Sequence, residues 1–258
     1  MKILFFGDIV GDPGIEAIEE ILPKWQKKYN PDLVLANGEN MVHGSGINRD
    51  CLNRILKAGV DLVTSGDHIW KNKQANTLLG EKETPLLRPA NYPEGLTGQG
   101  WRTIQVRTKK VLVINLLGRV FVKEDCDDPF KKIEEILDQE EADFTVVDFH
   151  AETTSEKRAM GWYLDGRITA LLGTHTHIPT ADAQILPEGT AYITDVGMVG
   201  PLNSVLGRDK ESVIKKFLTQ TPQAMPMADG PVEVNAVLLE TKKDQTAKKI
   251  DFLRQIVG

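Results

Sequence analysis

Short apolar runs alternate with longer stretches whose apolar residues recur every three or four positions, and this rhythm fills the first two thirds of the chain. Residues 2–6, 33–37, 61–65, 143–149 and 167–172 read as strands. Residues 14–29 read as a helix with Ile15, Ile18, Ile21 and Leu22 on one face. Pro23 inside that span predicts a kink or a break. Asp12 suits its N-cap, with Pro13 at the first helical position. Further helices are predicted over 48–58 and 129–139, and a strand pair over 101–107 and 111–117, joined by Thr108-Lys109-Lys110. Thr153 and Glu156 have capping-box spacing, so a helix should closely follow His150. After His177 the pattern changes. Runs at 183–186, 190–194, 231–240 and 245–254 predict antiparallel strands, with one helix near 211–219. The expected fold is a single α/β domain over residues 1–258, with two packed sheets and helices outside.

The polar residues matter most where the apolar runs stop. The five runs end at Asp8, at Asn37-Gly38-Glu39-Asn40, at Asp67-His68, at Asp148-Phe149-His150 and at His175-Thr176-His177. Four of the five histidines lie at these ends. All five are carboxyl ends, where open α/β folds place their ligand crevice. Adjacent strands bring such ends together, so one convergent site is expected.

Composition narrows the classes. The chain is 41% hydrophobic and 26% charged, as in ordinary globular proteins. A net charge of -6 gives no electrostatic footprint for general nucleic-acid binding, although local basic groups can still hold a phosphate. No apolar run approaches the roughly 20 residues that span a bilayer. The first strand begins at once, so no signal peptide of about 15–30 residues is expected. Cys51 and Cys126 stand without metal-type spacing, as reduced thiols of a cytoplasmic protein.

The donors suggest metal chemistry. In extended chain, residues two apart face the same side with Cα atoms roughly 6.5 Å apart. His175 and His177 would then suit two cations about 3.5–4 Å apart; the alternative is a pair of histidines in a polar turn. Asp8 is freed for binding because Asp12 supplies the local cap. Glu39 gains nothing in a turn, and its carboxylate can bridge two cations. Asn40 adds a neutral oxygen. Gly44-Ser45-Gly46 suits either close approach to a phosphate or a plain flexible loop, and His43 within it reads as a surface residue. His150 alone would also suit a satisfied core position. Neighbours in extended chain face opposite ways, so Asp67 is expected to bind metal and His68 to face a substrate. Seven O and N donors exceed one tetrahedral site and suit two borderline or hard ions such as iron, manganese or zinc.

These residues resemble the calcineurin-like metallophosphoesterases, and more closely their YmdB branch. The resemblance rests on Gly7-Asp8-Ile9-Val10-Gly11, Asn37-Gly38-Glu39-Asn40, Arg88-Pro89-Ala90-Asn91, the stretch from Asp148 to Lys157, Gly173-Thr174-His175-Thr176-His177 and Thr194-Asp195-Val196-Gly197. It spans the chain. It implies a four-layer sandwich, two mixed sheets flanked by helices. It implies two metal ions, iron or manganese, with zinc or magnesium as alternatives. One would be held by Asp8, Glu39, Asn40 and His177, the other by Glu39, Asp67, His150 and His175, with Glu39 bridging. The implied reaction is phosphodiester hydrolysis, with 2′,3′-cyclic nucleotides as the substrate class. An activated hydroxide would attack phosphorus in line with the leaving ribose oxygen, and His68 would be the general acid. The resemblance also implies a homo-oligomer, and for some members a role in regulating development or biofilm behaviour.

The chain departs from that pattern once. The family places Asn before the catalytic His; here the triplet is Gly66-Asp67-His68. The extra carboxylate implies tighter metal holding and weaker Lewis acidity. It also keeps open a second reading, a regulatory metal-binding protein with weak phosphoesterase activity that acts through partners. A dinuclear amidohydrolase on a (β/α)₈ barrel fits the length, but its His-x-His lies at the first strand, not two thirds along. Arg88, Asn91, Arg119 and Glu152 fit a pocket, a surface or a packing role equally well.

Overall fold

The computed structural model describes residues 1–258. Its strands are β1 (Lys2–Phe6), β2 (Asp8–Ile9), β3 (Leu33–Asn37), β4 (Leu62–Thr64), β5 (Trp101–Val106), β6 (Lys109–Leu117), β7 (Phe144–His150), β8 (Ala170–Thr174), β9 (Gln184–Ile185), β10 (Ala191–Ile193), β11 (Met198–Pro201), β12 (Val232–Thr241) and β13 (Ala247–Val257). The helices are α1 (Gly11–Tyr29), α2 (Arg49–Ala58), α3 (Gln74–Gly80), α4 (Pro129–Gln139), α5 (Thr154–Tyr163) and α6 (Lys210–Thr219).

The strands form two mixed sheets. The first has the order β2-β11-β12-β1-β3-β4, with β13 also paired to β12. Its β1, β3 and β4 are parallel, and β12 runs antiparallel to β1. The second has the order β5-β6-β7-β8-β10-β9, with β6, β7, β8 and β10 parallel. Alternation along the strands builds the layers. On β1, Ile3 and Phe5 join Leu35, Val113, Val146 and Leu172 in a core between the sheets. Leu4 and Phe6 face the other way, onto Ile15, Ile18, Leu22 and Trp25 of α1. Ile133, Ile136 and Met160 of α4 and α5 cover the outer face of the second sheet. The result is the expected four-layer sandwich. Strands buried on both faces carry continuous apolar runs, which is why the runs stand out in the sequence.

Several expectations need correction. Helix α1 begins at Gly11, not residue 14, and its N-cap is Val10 without a side-chain cap bond. Asp12 lies in the first turn and pairs instead with Arg54 at 3.0 Å. The helix continues through Pro23. Burial of Ile21, Leu22 and Trp25, with Trp25 stacked on Phe6 at 5.5 Å, outweighs the lost backbone bond. Thr153 does cap α5, but Glu156 does not reach back to it; its carboxylate accepts from the backbone N–H groups of Arg119 and Val120. Beyond His177, β12 and β13 are antiparallel, as are β9 and β10, but β10 runs parallel to β8. β2, β11 and α3 had no counterpart in the sequence pattern.

Candidate metal centre

Parallel register gathers the donors. Thr64 on β4 lies beside Asn37 on β3, and His150 on β7 beside Thr174 on β8. The carboxyl ends of both sheets therefore open on one crevice, and the residues after those ends fill it. Asp8, Glu39, Asn40 and His150 are buried there. One ligand atom from each of Glu39, Asp67, His150 and His175 lies within 4.8 Å of the others. Nε2 of His150 is 3.2 Å from Glu39 Oε1 and 3.3 Å from Asp67 Oδ1. Nδ1 of His175 lies 3.0 Å from that Nε2 and 3.4 Å from Asp67 Oδ1.

Asp8, Asn40 and His177 sit on the other side of Glu39. Nε2 of His177 lies 3.0 Å from the Asn40 amide nitrogen and 3.9 Å from Asp8 Oδ1. Asp8 Oδ2 accepts from the His175 backbone N–H at 3.2 Å, while its Oδ1 is buried without a hydrogen-bond partner. The Asn40 side chain turns its nitrogen toward Glu39 and His177 and its oxygen toward His68. For that oxygen to hold a cation, the amide must rotate by half a turn. Such flips conserve shape and exchange only hydrogen-bond roles.

Local backbone brings these groups in by turns rather than by extended chain. The segment from His175 to His177 is a bend, with φ of +100° at His175 and +64° at His177. The two-residue alternation of a strand is therefore not what orients the two rings. Asp67 and His68 likewise lie in a turn ahead of a 3₁₀ turn at Ile69–Lys71, and their side chains stay within 3.6 Å of each other while making different further contacts. Asp67 faces His150 and His175, whereas Nδ1 of His68 is 2.9 Å from Asn40 Oδ1. Nε2 of this half-buried ring lies 3.6 Å from Asp67 Oδ2. Gly66 permits the packing: a Cβ there would stand 2.2 Å from Glu39 Oε2 and 2.3 Å from the His150 ring.

Charge follows this geometry. Burial pushes the Glu39 carboxyl up, but His150 and His68 outweigh it and hold it well below its ordinary value. Burial acts the same way on Asp67, where hydrogen bonds to His150 and His175 prevail and lower it. Burial disfavours the charged His150 ring, yet Glu39 and Asp67 raise it well above an ordinary histidine. The Asp8 carboxyl is raised by burial, and burial lowers His177 to about 4. A buried carboxylate oxygen without a partner and a histidine kept neutral are what a cation site requires. The donor set fits metal ions.

Support comes from Asn37, Asp148 and Thr174, which lie at the strand ends but were not expected as ligands. Nδ1 of His150 meets Thr174 Oγ1 at 2.9 Å, and that hydroxyl donates to Asp148 Oδ1 at 2.7 Å. Asn37 donates to Asp148 Oδ2 at 2.9 Å. Asp148 therefore supports the ligands from below. Of the four residues left open, only Glu152 reaches the site, 2.9 Å from His175 Nε2. Arg88 is buried on the carbonyls of Pro89, Leu96 and Thr97, and Asn91 bonds the backbone of Leu117 and Asp127. The Arg119 side chain is exposed. His43 is exposed as expected, while the adjacent Gly44 carbonyl accepts from Arg208 at 3.1 Å, so the loop is pinned rather than free.

Known proteins resemble this chain in sequence and in fold. A 2′,3′-cyclic-nucleotide 2′-phosphodiesterase of Bacillus subtilis (strain 168) is 43% identical over all of this chain and 97% of the relative. The crystal structure of a hypothetical protein from Thermus thermophilus superposes with a TM-score of 0.94 at 41% identity, covering 99% of both chains. A novel phosphatase from Mycoplasma pneumoniae gives 0.94 at 35% identity, covering 99% of this chain and 93% of its own. A 5′-nucleotidase precursor from Thermus thermophilus shares the fold alone, with 0.57 at 11% identity over 99% of this chain and 54% of its own. The profile of the YmdB-like proteins matches residues 4–253. The chain belongs to the YmdB-like protein family.

Proposed function

We propose that this chain is a dinuclear-metal phosphodiesterase whose substrates are 2′,3′-cyclic nucleotides. The observation that carries the reading is the convergence of Glu39, Asp67, His150 and His175 within 4.8 Å. The name of the Bacillus subtilis relative supports the substrate class. Asp8, Glu39, Asn40 and His177 would hold one ion, and Glu39, Asp67, His150 and His175 the other. Iron or manganese is the expected pair, with zinc or magnesium as alternatives for a mixed O and N donor set. Such ions supply Lewis acidity, which activates water and neutralises phosphoryl oxygens. The chain's residues do the rest. Glu39 bridges the two sets. His68, whose Nε2 lies 3.6 Å from Asp67 Oδ2, hands a proton to the leaving ribose oxygen. Its ring is raised above the ordinary histidine value by its hydrogen bond to Glu39, so more of it carries that proton at neutral pH. A panel of 2′,3′-cyclic nucleotides, linear dinucleotides and phosphomonoesters tests the reading. Preferred turnover of the cyclic substrates is expected, and none with metal-loaded protein contradicts it.

Asp67 favours a second reading, a regulatory metal-binding protein with weak activity, because three carboxylates now face the cations. Turnover of bis-p-nitrophenyl phosphate with added manganese separates the two. Homo-oligomerisation belongs to the same proposal. On α6, Ile214, Phe217 and Leu218 are 51%, 77% and 79% exposed, and Val213 alone is buried. An exposed apolar face of this kind is what an intermolecular contact covers. Phe217→Glu should shift the mass by light scattering toward a single chain; an unchanged mass removes α6 from any interface. No helix is long and apolar enough to cross a membrane. The unpaired Cys51 and Cys126 support a cytoplasmic location.

A further inference from the structure

Beneath the His175–His177 bend lies a buried ion pair that the proposed chemistry does not use. Lys157 on α5 and Asp195, between β10 and β11, are both 0% exposed, with Nζ 2.7 Å from Oδ2. Asp195 Oδ2 also accepts from the Thr176 backbone N–H at 3.0 Å and from the Thr176 hydroxyl at 2.8 Å. Oδ1 accepts from the Gly197 N–H at 2.8 Å. The backbone of Asp195 is fixed too: its N–H donates to Thr180 Oγ1 at 2.9 Å, and its carbonyl accepts from the Thr180 N–H at 3.0 Å. Gly173 lets this layer close, since a Cβ there would stand 1.8 Å from the Thr194 carbonyl oxygen and 3.1 Å from Lys157 Cδ.

The residue between the two histidines is thus held, through its N–H and its hydroxyl, by one fixed carboxylate. The histidines themselves adopt positive φ, a region that residues other than glycine rarely occupy. Such conformations persist only where the surroundings over-determine them. An amide at 195 would present an acceptor on one side only and could not serve Thr176 and Gly197 together. A carboxylate serves both sides. Buried within electrostatic reach of Asp8, it needs a cation, and Lys157 supplies one. Stability alone is a poor account of the pair, because apolar groups of similar shape often replace buried ion pairs without loss.

We propose that the Lys157–Asp195 pair is a strut that holds the Thr174–His177 bend and so aims the His175 and His177 rings. Both are positioning residues, and the inference rests on the reading of those histidines as metal ligands. The test uses full-length protein stripped of metal. Thr176→Val removes one hydroxyl contact and leaves the ion pair. The double variant Lys157→Met/Asp195→Asn removes both charges with little change of shape. Calorimetric titration with Mn²⁺ should show affinity roughly 2–10-fold weaker for Thr176→Val and about 10–100-fold weaker for the double variant. The visible spectrum of the Co²⁺ forms should change in both, reporting altered ligand geometry while the folded circular-dichroism signal persists. Unchanged Mn²⁺ affinity and Co²⁺ spectra in both variants overturn the strut alone. If the double variant does not fold, Thr176→Val decides by the same two readouts. Wild-type protein that binds no Mn²⁺ overturns the metal reading, and the strut with it.

Discussion

Asp67 brings a third carboxylate to a site built to hold positive charge. It approaches the imidazoles of His150 and His175 at 3.3 and 3.4 Å, and more negative charge around a cation weakens its pull on a phosphoryl oxygen. Asp67→Asn, assayed at matched metal content, should raise turnover and loosen the metal; equal or lower turnover sinks this view of the residue. His68 is the opposite case. Its ring bonds Asn40 but belongs to neither ligand set, so His68→Ala should keep its metal and lose about 10²–10⁴-fold in turnover. Metal analysis beside initial rates checks both halves, and normal rates remove His68 from the chemistry. The donors were legible because each follows an apolar run at once. Asp148, Lys157 and Asp195 were not read as supports. Each acts through a partner distant in sequence, such as Lys157 and Asp195, 38 positions apart, and no local spacing announces such a pairing.

At the level of elements, the site depends on turns that bring side chains in from strand ends. Gly66 lies in one of them, crowded by ligand side chains. A methyl group there would meet both Glu39 and His150, so Gly66→Ala should abolish metal binding while leaving the strands folded. Retained metal stoichiometry in that variant contradicts the packing described here. Long elements were legible: β3 and α4 have the expected bounds, and the two sheets follow from runs buried on both faces. β2 and β11, with two and four residues, carry too few positions for a period to show. The direction of β10 was hidden because pairing partners are a tertiary property. The bend at His175–His177 was hidden because the apolar run before it reads as continuing in extended chain, and only Gly173 hints at the crowding there.

For the whole molecule, the centre couples protons, metal and stability. His150 is raised well above its ordinary value, chiefly by Glu39 once burial is outweighed. Without metal, its charged ring stabilises the fold fully below the unfolded value of about 6.5. That contribution is lost as pH rises through the folded value. Asp8, raised by burial, acts with the same sign. Glu39 and Asp67 are lowered, so their contribution is lost on the acid side as pH falls. Chelated protein should therefore melt at lower temperature as pH rises above neutrality, and metal should remove that trend while releasing protons on binding. A melting temperature that is flat with pH in chelated protein contradicts this coupling. If two cations sharing Glu39 carry phosphodiester hydrolysis, metal and activity must be lost together when Glu39 is changed. The most direct test is metal content and 2′,3′-cyclic nucleotide turnover, measured on the same preparations of wild type and Glu39→Gln. Wild type should hold about two ions per chain and turn over, with Glu39→Gln folded but losing metal and activity together; a folded Glu39→Gln that keeps full turnover would contradict the account.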